Sequence, residues 1–266
     1  MGLESELMTT ADAAALWGIT TRRVQILCDN GKVNGAFRMG KTWIIPKGTT
    51  KPIDGRTKEA KRQTQESKYL YHYFERDFGP FKSFAALPIE EARAILIERK
   101  KAGKIGNPNI EGFLKKRYDA DKRLYNAFVK HGGKPKNMNP IYFFLGEHRQ
   151  WETAYENPEV IKIPLNEFDP LTVSFTYGDS FAIFNPALFG EEEYWNRVYF
   201  ADEIRDVVGR LGFPPHVEYD FKRGIFPKDK HINDCLLHVE AHVWDDVILE
   251  KYRADWRAQK GGERNV

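Results

Sequence analysis

The sequence predicts an α+β protein in two parts: a small N-terminal unit of two helices and a hairpin, followed by a helical segment and a larger mixed domain. Three observations carry that prediction. Residues 9–46 hold two capped amphipathic stretches that run into a pair of period-two runs. From Lys58 to about residue 135 the apolar residues recur at helical spacing. After Pro140 the pattern changes to β-rich runs separated by shorter helical ones. With 266 residues there is room for a second core beyond the first unit. The boundaries predicted are 1–50 for the first unit, 51–68 for a basic linker, and 69–266 for the α+β domain, helical over 69–135 and sheet-rich over 136–258.

The first unit is the most legible. Thr9 and Asp12 have capping-box spacing, and Ala13, Ala14, Leu16 and Trp17 give the helix that follows an apolar side. Gly18 ends it, because glycine takes the left-handed C-terminal conformation without strain. Thr20 caps a second helix, in which Val24, Leu27 and Cys28 face inward and Arg22, Arg23, Gln25 and Ile26 outward. Gly31 stops it. Ala36–Met39 and Thr42–Ile45 alternate about Gly40-Lys41, a pair suited to a two-residue hairpin turn. Phe37, Trp43 and Ile45 are expected to close the core. The arrangement predicts a winged helix-turn-helix. Its second helix offers Arg22, Arg23 and Gln25 to base edges or phosphates, Thr20 and Thr21 to a phosphate at its N-terminus, and the wing adds Arg38 and Lys41. A protein-docking helical hairpin is the other reading of these residues.

Charge distribution agrees with the first reading. Residues 20–68 hold twelve Lys or Arg against four acids, a net +8, in a chain whose formal charge is +3, so the remainder carries −5. A basic segment at one end of a mildly acidic chain suits phosphate binding, although a solvated linker accounts equally well for residues 47–68. No apolar run reaches the roughly 18 residues of a membrane span, and no basic-then-apolar leader opens the chain, which predicts a cytoplasmic protein. Cys28 and Cys235 have no pair spacing and read as small buried side chains.

AAALWGITTRRVQILC followed by NGAFRMGKTWIIPK resembles the excisionase-like branch of the MerR-type DNA-binding domains of mobile elements, over roughly a sixth of the chain. The resemblance implies duplex DNA as partner, with the second helix in the major groove and the wing along the flanking backbone. Recognition of half-sites by so small a unit favours a homodimer or a partner protein.

In the larger part, Tyr69, Leu70, Tyr73 and Phe74 form an aromatic stripe at three- and four-residue spacing and read as a core-facing helix that carries His72. Pro88 opens a helix through Lys101, and a longer one runs from about Asn109 to Gly132-Gly133. In that longer helix Leu114, Tyr118, Leu124, Tyr125 and Phe128 oppose a basic face of Lys115, Lys116, Arg117, Lys122 and Arg123, read as solvated. Residues 141–145, 160–165, 171–177, 217–221 and 236–244 read as strands, with helices over 147–155, 201–211 and 247–256 between and after them.

Phosphate loops, GxSxG elbows and zinc-type cysteine spacings are absent. Period two puts His238, Glu240 and His242 on one face of a strand, which reads as a polar sheet face, an acid–base carboxylate, or part of a metal site completed by His231 or Asp234. Ser174-Phe175-Thr176-Tyr177-Gly178-Asp179-Ser180 carries hydroxyls and a carboxylate from a strand end into a glycine turn. The order of IYFFLGEHR, SFTYGDS and a late strand centred on glutamate resembles the ADP-ribosyltransferase fold. HVEAHVWDDVILEKY, a strand glutamate followed by acids and a helix, is similar to the late segment of DNA-modifying toxins of the DarT type. That resemblance implies NAD as cofactor, Glu240 as catalytic carboxylate, and Ser174 and Thr176 as lining hydroxyls. His148, Arg149 and Tyr177 are its positional candidates for holding NAD. Two function classes follow: a DNA-binding regulator whose second domain senses a ligand or partner, and an enzyme delivered to DNA.

Overall fold

The computed structural model describes residues 7–49, 51–52, 65, 67–101, 109–185, 192–214 and 238–263. The chain divides into two compact units, residues 1–61 with 205–213 and residues 62–204 with 214–266, and the whole is of the α+β class.

In the first unit, β1 (Leu7–Thr9) leads into α1 (Thr10–Trp17). Thr9 is both the last strand residue and the N-cap. Its Oγ1 accepts the Asp12 N–H at 3.2 Å, and the Asp12 carboxylate accepts the Thr9 N–H at 2.9 Å. Gly18 ends the helix at φ +63°, and Thr20 caps α2 (Thr21–Asp29) by accepting the Arg23 N–H. β2 (Phe37–Met39) and β3 (Thr42–Pro46) form the hairpin, with Met39 opposite Thr42 and Gly40 at φ +64° in the turn. β1 pairs with the other edge of β3, so the sheet has the order β1-β3-β2. The sequence reading missed β1 because three residues are too few to show a period. Met8, Ala13, Ala14, Trp17, Val24, Leu27, Cys28, Val33 and Ile45 form the core. Leu16 and Phe37, expected inside, are exposed, and Met8 and Val33 fill the core in their place.

The second unit is built on an antiparallel sheet of order β6-β4-β5-β8-β7. Its strands are β4 (Tyr69–Glu75), β5 (Ile141–Leu145), β6 (Pro158–Pro164), β7 (Val173–Tyr177) and β8 (Val239–Val243). The helices are α3 (Ile89–Lys101), α4 (Ile110–Lys130), the one-turn α5 (Ser180–Ile183) and α7 (Val247–Glu263), while α6 (Ala201–Leu211) begins in this unit and from residue 205 is counted with the first. α4 is capped by Asn109, whose side chain accepts the Gly112 N–H at 2.8 Å. Register fixes what shares a face: Tyr71 lies opposite Phe144, Phe144 opposite Glu240, and Glu240 opposite Thr176, while Tyr142, His242 and Ser174 form the next row. Trp244 continues this face and stacks on Phe128 of α4. The other face carries His72, Phe74 and Phe143, with Phe74 edge-on to Trp256 of α7.

Three expectations for this unit are corrected. Residues 69–75 are a strand: both faces are covered, so the apolar residues run without alternation and imitate helical spacing. Residues 149–154 form a 3₁₀ helix, not an α-helix. Arg117 turns inward from the face read as solvated, because Asp121, one turn on, is buried beneath it. The strand read over 217–221 lies outside the described residues, as do Cys235 and most of the linker read over 51–68.

Candidate functional site

β8 alternates Val239, Ala241 and Val243 on one face with Glu240 and His242 on the other, flanked by His238 and Trp244. Because β7 pairs with it antiparallel, Ser174 and Thr176 meet His242 and Glu240 directly. His242 Nε2 lies 3.0 Å from Glu240 Oε2, and its Nδ1 lies 3.2 Å from both the hydroxyl and the carbonyl of Ser174. Trp244 Nε1 donates to Ser174 Oγ at 2.9 Å. The chain Trp244–Ser174–His242–Glu240 therefore fixes the imidazole orientation and sets its Nε2 against the carboxylate.

The turn after β7 closes over this row. Thr176 Oγ1 donates to the Gly178 carbonyl at 2.7 Å, Asp179 caps α5 by accepting the Phe181 N–H at 2.7 Å, and Ser180 N–H donates to Glu240 Oε2 at 2.8 Å. From α4, Arg117 Nε donates to Asp121 Oδ1 at 2.9 Å, and Tyr142 OH bonds to the same guanidinium and carboxylate. The guanidinium also sits over the Tyr142 ring, 4.4 Å from its centroid. At the other end of the strand His238 packs against Phe144 and His148, with ring centroids 4.8 and 5.2 Å away.

Burial works against ionisation of Glu240, yet the His242 hydrogen bond, followed by electrostatic interaction with the neighbouring imidazoles and with the Arg117 guanidinium, holds its carboxyl below the usual range. Burial and the Glu240 charge push Asp179 the other way, up to about 7, against Arg117 and two backbone N–H groups. Burial lowers His238 to about 4, so its imidazole is neutral at physiological pH. Ser180 Oγ, Asp121 Oδ2 and His238 Nε2 are buried with no hydrogen-bond partner among the described residues.

The structure thus brings Glu240, Ser174 and Thr176 together, with His148 at the far end of the same face. It does not bring in the other two candidates. Arg149 is exposed and paired with Glu147, because its 3₁₀ turn points it outward. Tyr177, one residue past Thr176, falls on the opposite face against Tyr194. Arg117, Asp121, Tyr142 and Asp179 were not assigned to a site from sequence. The Arg117–Asp121 spacing of four on a helix was the available signal. No group of three His, Cys, Asp or Glu side chains suited to a metal occurs among the described residues, and His231 and Asp234 lie outside them.

In the first unit Thr20, Thr21, Arg22 and Gln25 are exposed along one side of α2, and Arg23 is partly so. Arg38 and Lys41 are exposed on the hairpin. Arg38 is not an unengaged cation: it bonds Asp29 at 2.7 Å and lies over the Trp43 ring, and Trp43 Nε1 donates to the same carboxylate at 3.0 Å. Among the described residues no helix is long and apolar enough to cross a membrane.

No family model, curated protein or solved structure matches this chain.

Proposed function

We propose that this chain is a duplex-DNA-binding protein of mobile-element type, with an excisionase-like winged helix-turn-helix at its N-terminus and an effector domain behind it. The observation that carries this is α2 itself: a helix capped at Thr20, with its apolar side buried and Thr21, Arg22 and Gln25 exposed beside the basic hairpin. Such a helix suits the major groove, with Lys41 and Arg38 along the flanking phosphates. A mobility-shift series of the intact protein against genomic fragments at low salt tests it. Arg23→Ala and Lys41→Ala should each weaken binding, the latter with a salt slope shallower by about one and sequence preference kept. Absence of any shift by the intact protein ends this reading.

The second reading is that the effector domain is an NAD-dependent ADP-ribosyltransferase with Glu240 as its catalytic carboxylate. What favours it is the state of Glu240: buried, ionised, and oriented by Ser180 N–H and His242. NAD, when bound, supplies an activated glycosidic bond. Glu240 would stabilise the positive charge that develops on the ribose as nicotinamide leaves, a role glutamine cannot fill. The unpartnered Ser180 Oγ and His238 Nε2 are hydrogen-bonding groups of the sort a ribose and a carboxamide satisfy. Release of nicotinamide from NAD, lost in Glu240→Gln with the fold intact, tests it.

A further inference from the structure

Asp179 and Glu240 reach one turn from two elements. Asp179 accepts the Phe181 N–H at 2.7 Å, and Glu240 accepts the N–H of the preceding residue, Ser180, at 2.8 Å. One guanidinium, Arg117, acts electrostatically on both, and it is already bonded to Asp121 and Tyr142. The charged and titratable groups around the two carboxyls are Arg117 and Asp121 from α4, Tyr142 from β5, and His238 and His242 on either side of Glu240. His238 is neutral, and Asp121 uses up much of the Arg117 charge. Two carboxylates so placed resist simultaneous ionisation.

Two further features turn this cluster into a site. Ser180 Oγ, on the residue whose N–H holds Glu240, is fully buried and has no hydrogen-bond partner among the described residues, which leaves it for a polar group of a ligand. Asp179 is partly exposed while Glu240 is buried, so Asp179 is the member through which a proton exchanges with solvent.

We propose that Asp179 is the proton partner of Glu240: the two carboxyls, anchored on adjacent N–H groups of one turn, act as a single acid–base couple beside a subsite for a hydroxyl-bearing substrate. The catalytic side of this rests on the reading of Glu240 as the working carboxylate; the proton sharing does not. Asp179 acts through Glu240. With Asp179 carrying the proton, Glu240 is kept anionic for its electrostatic role, and the charge of the pair stays at minus one instead of minus two.

Difference infrared spectroscopy of the full-length protein, grown with isotope-labelled aspartate, follows the protonated-carboxyl band across a pH series. One aspartate component should titrate close to neutrality, vanish in Asp179→Asn, and move to lower pH by about one unit or more in Glu240→Gln. If Asp179→Asn removes no component, or if the component keeps its midpoint in Glu240→Gln, the couple does not exist. Should Asp179→Asn fail to fold by circular dichroism, Asp179→Glu with labelled glutamate carries the same test. Nicotinamide release is then measured against pH: Asp179→Glu should retain it with a displaced profile and Asp179→Asn should lose the displaced limb, while identical profiles overturn the catalytic role. A wild-type protein that shows the infrared coupling but releases no nicotinamide loses the transferase reading and keeps the carboxyl couple.

Discussion

His72 Nε2 accepts the backbone N–H of Phe81 at 3.0 Å, and Phe81 is held at φ +60°. The other ring nitrogen, Nδ1, lies 2.8 Å from the Tyr142 carbonyl, so one neutral imidazole ties β4 to β5 and to the turn that follows β4. A left-handed conformation at a phenylalanine costs of the order of 1–2 kcal/mol, and this bond is what offsets it. His72→Leu should therefore destabilise the second unit by about 2–4 kcal/mol, since two buried backbone groups lose their partner. Urea unfolding measures it, and a loss below about 1 kcal/mol would mean that the bond contributes little.

Acid should weaken the same unit. Burial is the main cause that lowers both His72 and His238 to about 4, from an ordinary 6.5. Between those values the unfolded chain takes up protons that the folded one refuses, so stability present above pH 6.5 is lost as pH falls toward 4, with a ceiling of about 3 kcal/mol per histidine. Asp179 has the opposite sign: its raised folded value favours the native state at low pH, and that contribution is lost as pH rises through about 7. Unfolding free energies of wild type and His72→Gln across pH 4–7 should differ in slope, with the variant flatter. Parallel curves would show that His72 does not titrate below its ordinary range.

The N-terminal elements were legible because each carries local signals: Thr9 with Asp12, Gly18, Thr20 and Gly40 act through their own backbone neighbours. What the sequence concealed was tertiary. β4 has rings on both faces, from Tyr71 and Tyr73 on one side and His72 and Phe74 on the other, and burial on both sides erases the period that marks a strand. Period two along one strand was enough to put His238, Glu240 and His242 on one face, and Ser174 and Thr176 were named from their strand-to-turn junction and the resemblance; that β7 pairs with β8 and sets them beside Glu240 is tertiary. Arg117 was not named, because a basic residue that follows Lys115 and Lys116 reads as solvated until Asp121 and Tyr142 are seen beneath it.

Asp29 should act as a brake on the proposed DNA face. The Arg38 bond, then the Trp43 bond, holds its carboxyl below the usual range, so it stays ionised beside the hairpin. Asp29→Asn removes a negative charge from a surface meant for phosphates and releases Arg38 toward them. Fluorescence anisotropy with duplex DNA over a salt series should show tighter binding and a log–log slope steeper by about one. Weaker binding by Asp29→Asn would show instead that the ion pair positions the hairpin.

Arg117 and Asp121 offer the sharpest separation of a charge pair from its parts. Asp121 is almost fully buried and Arg117 partly so, and Tyr142 OH completes the set. Arg117→Met leaves the Asp121 carboxylate buried without its cation, and Asp121→Leu leaves the guanidinium likewise, so each should cost about 3–5 kcal/mol. The double variant removes both charges and keeps the volume filled, and it should recover most of that loss, which gives a large favourable coupling in the double-mutant cycle. Tyr142 would retain its ring contact with His242, which is edge-on at 5.5 Å. The cycle also reports on the neighbouring site, since Arg117 helps keep Glu240 ionised. If the double variant is as stable as wild type yet has lost every function dependent on Glu240, then the pair is retained for its field at that carboxylate. If the two losses simply add, Arg117 and Asp121 stabilise the unit through separate contacts.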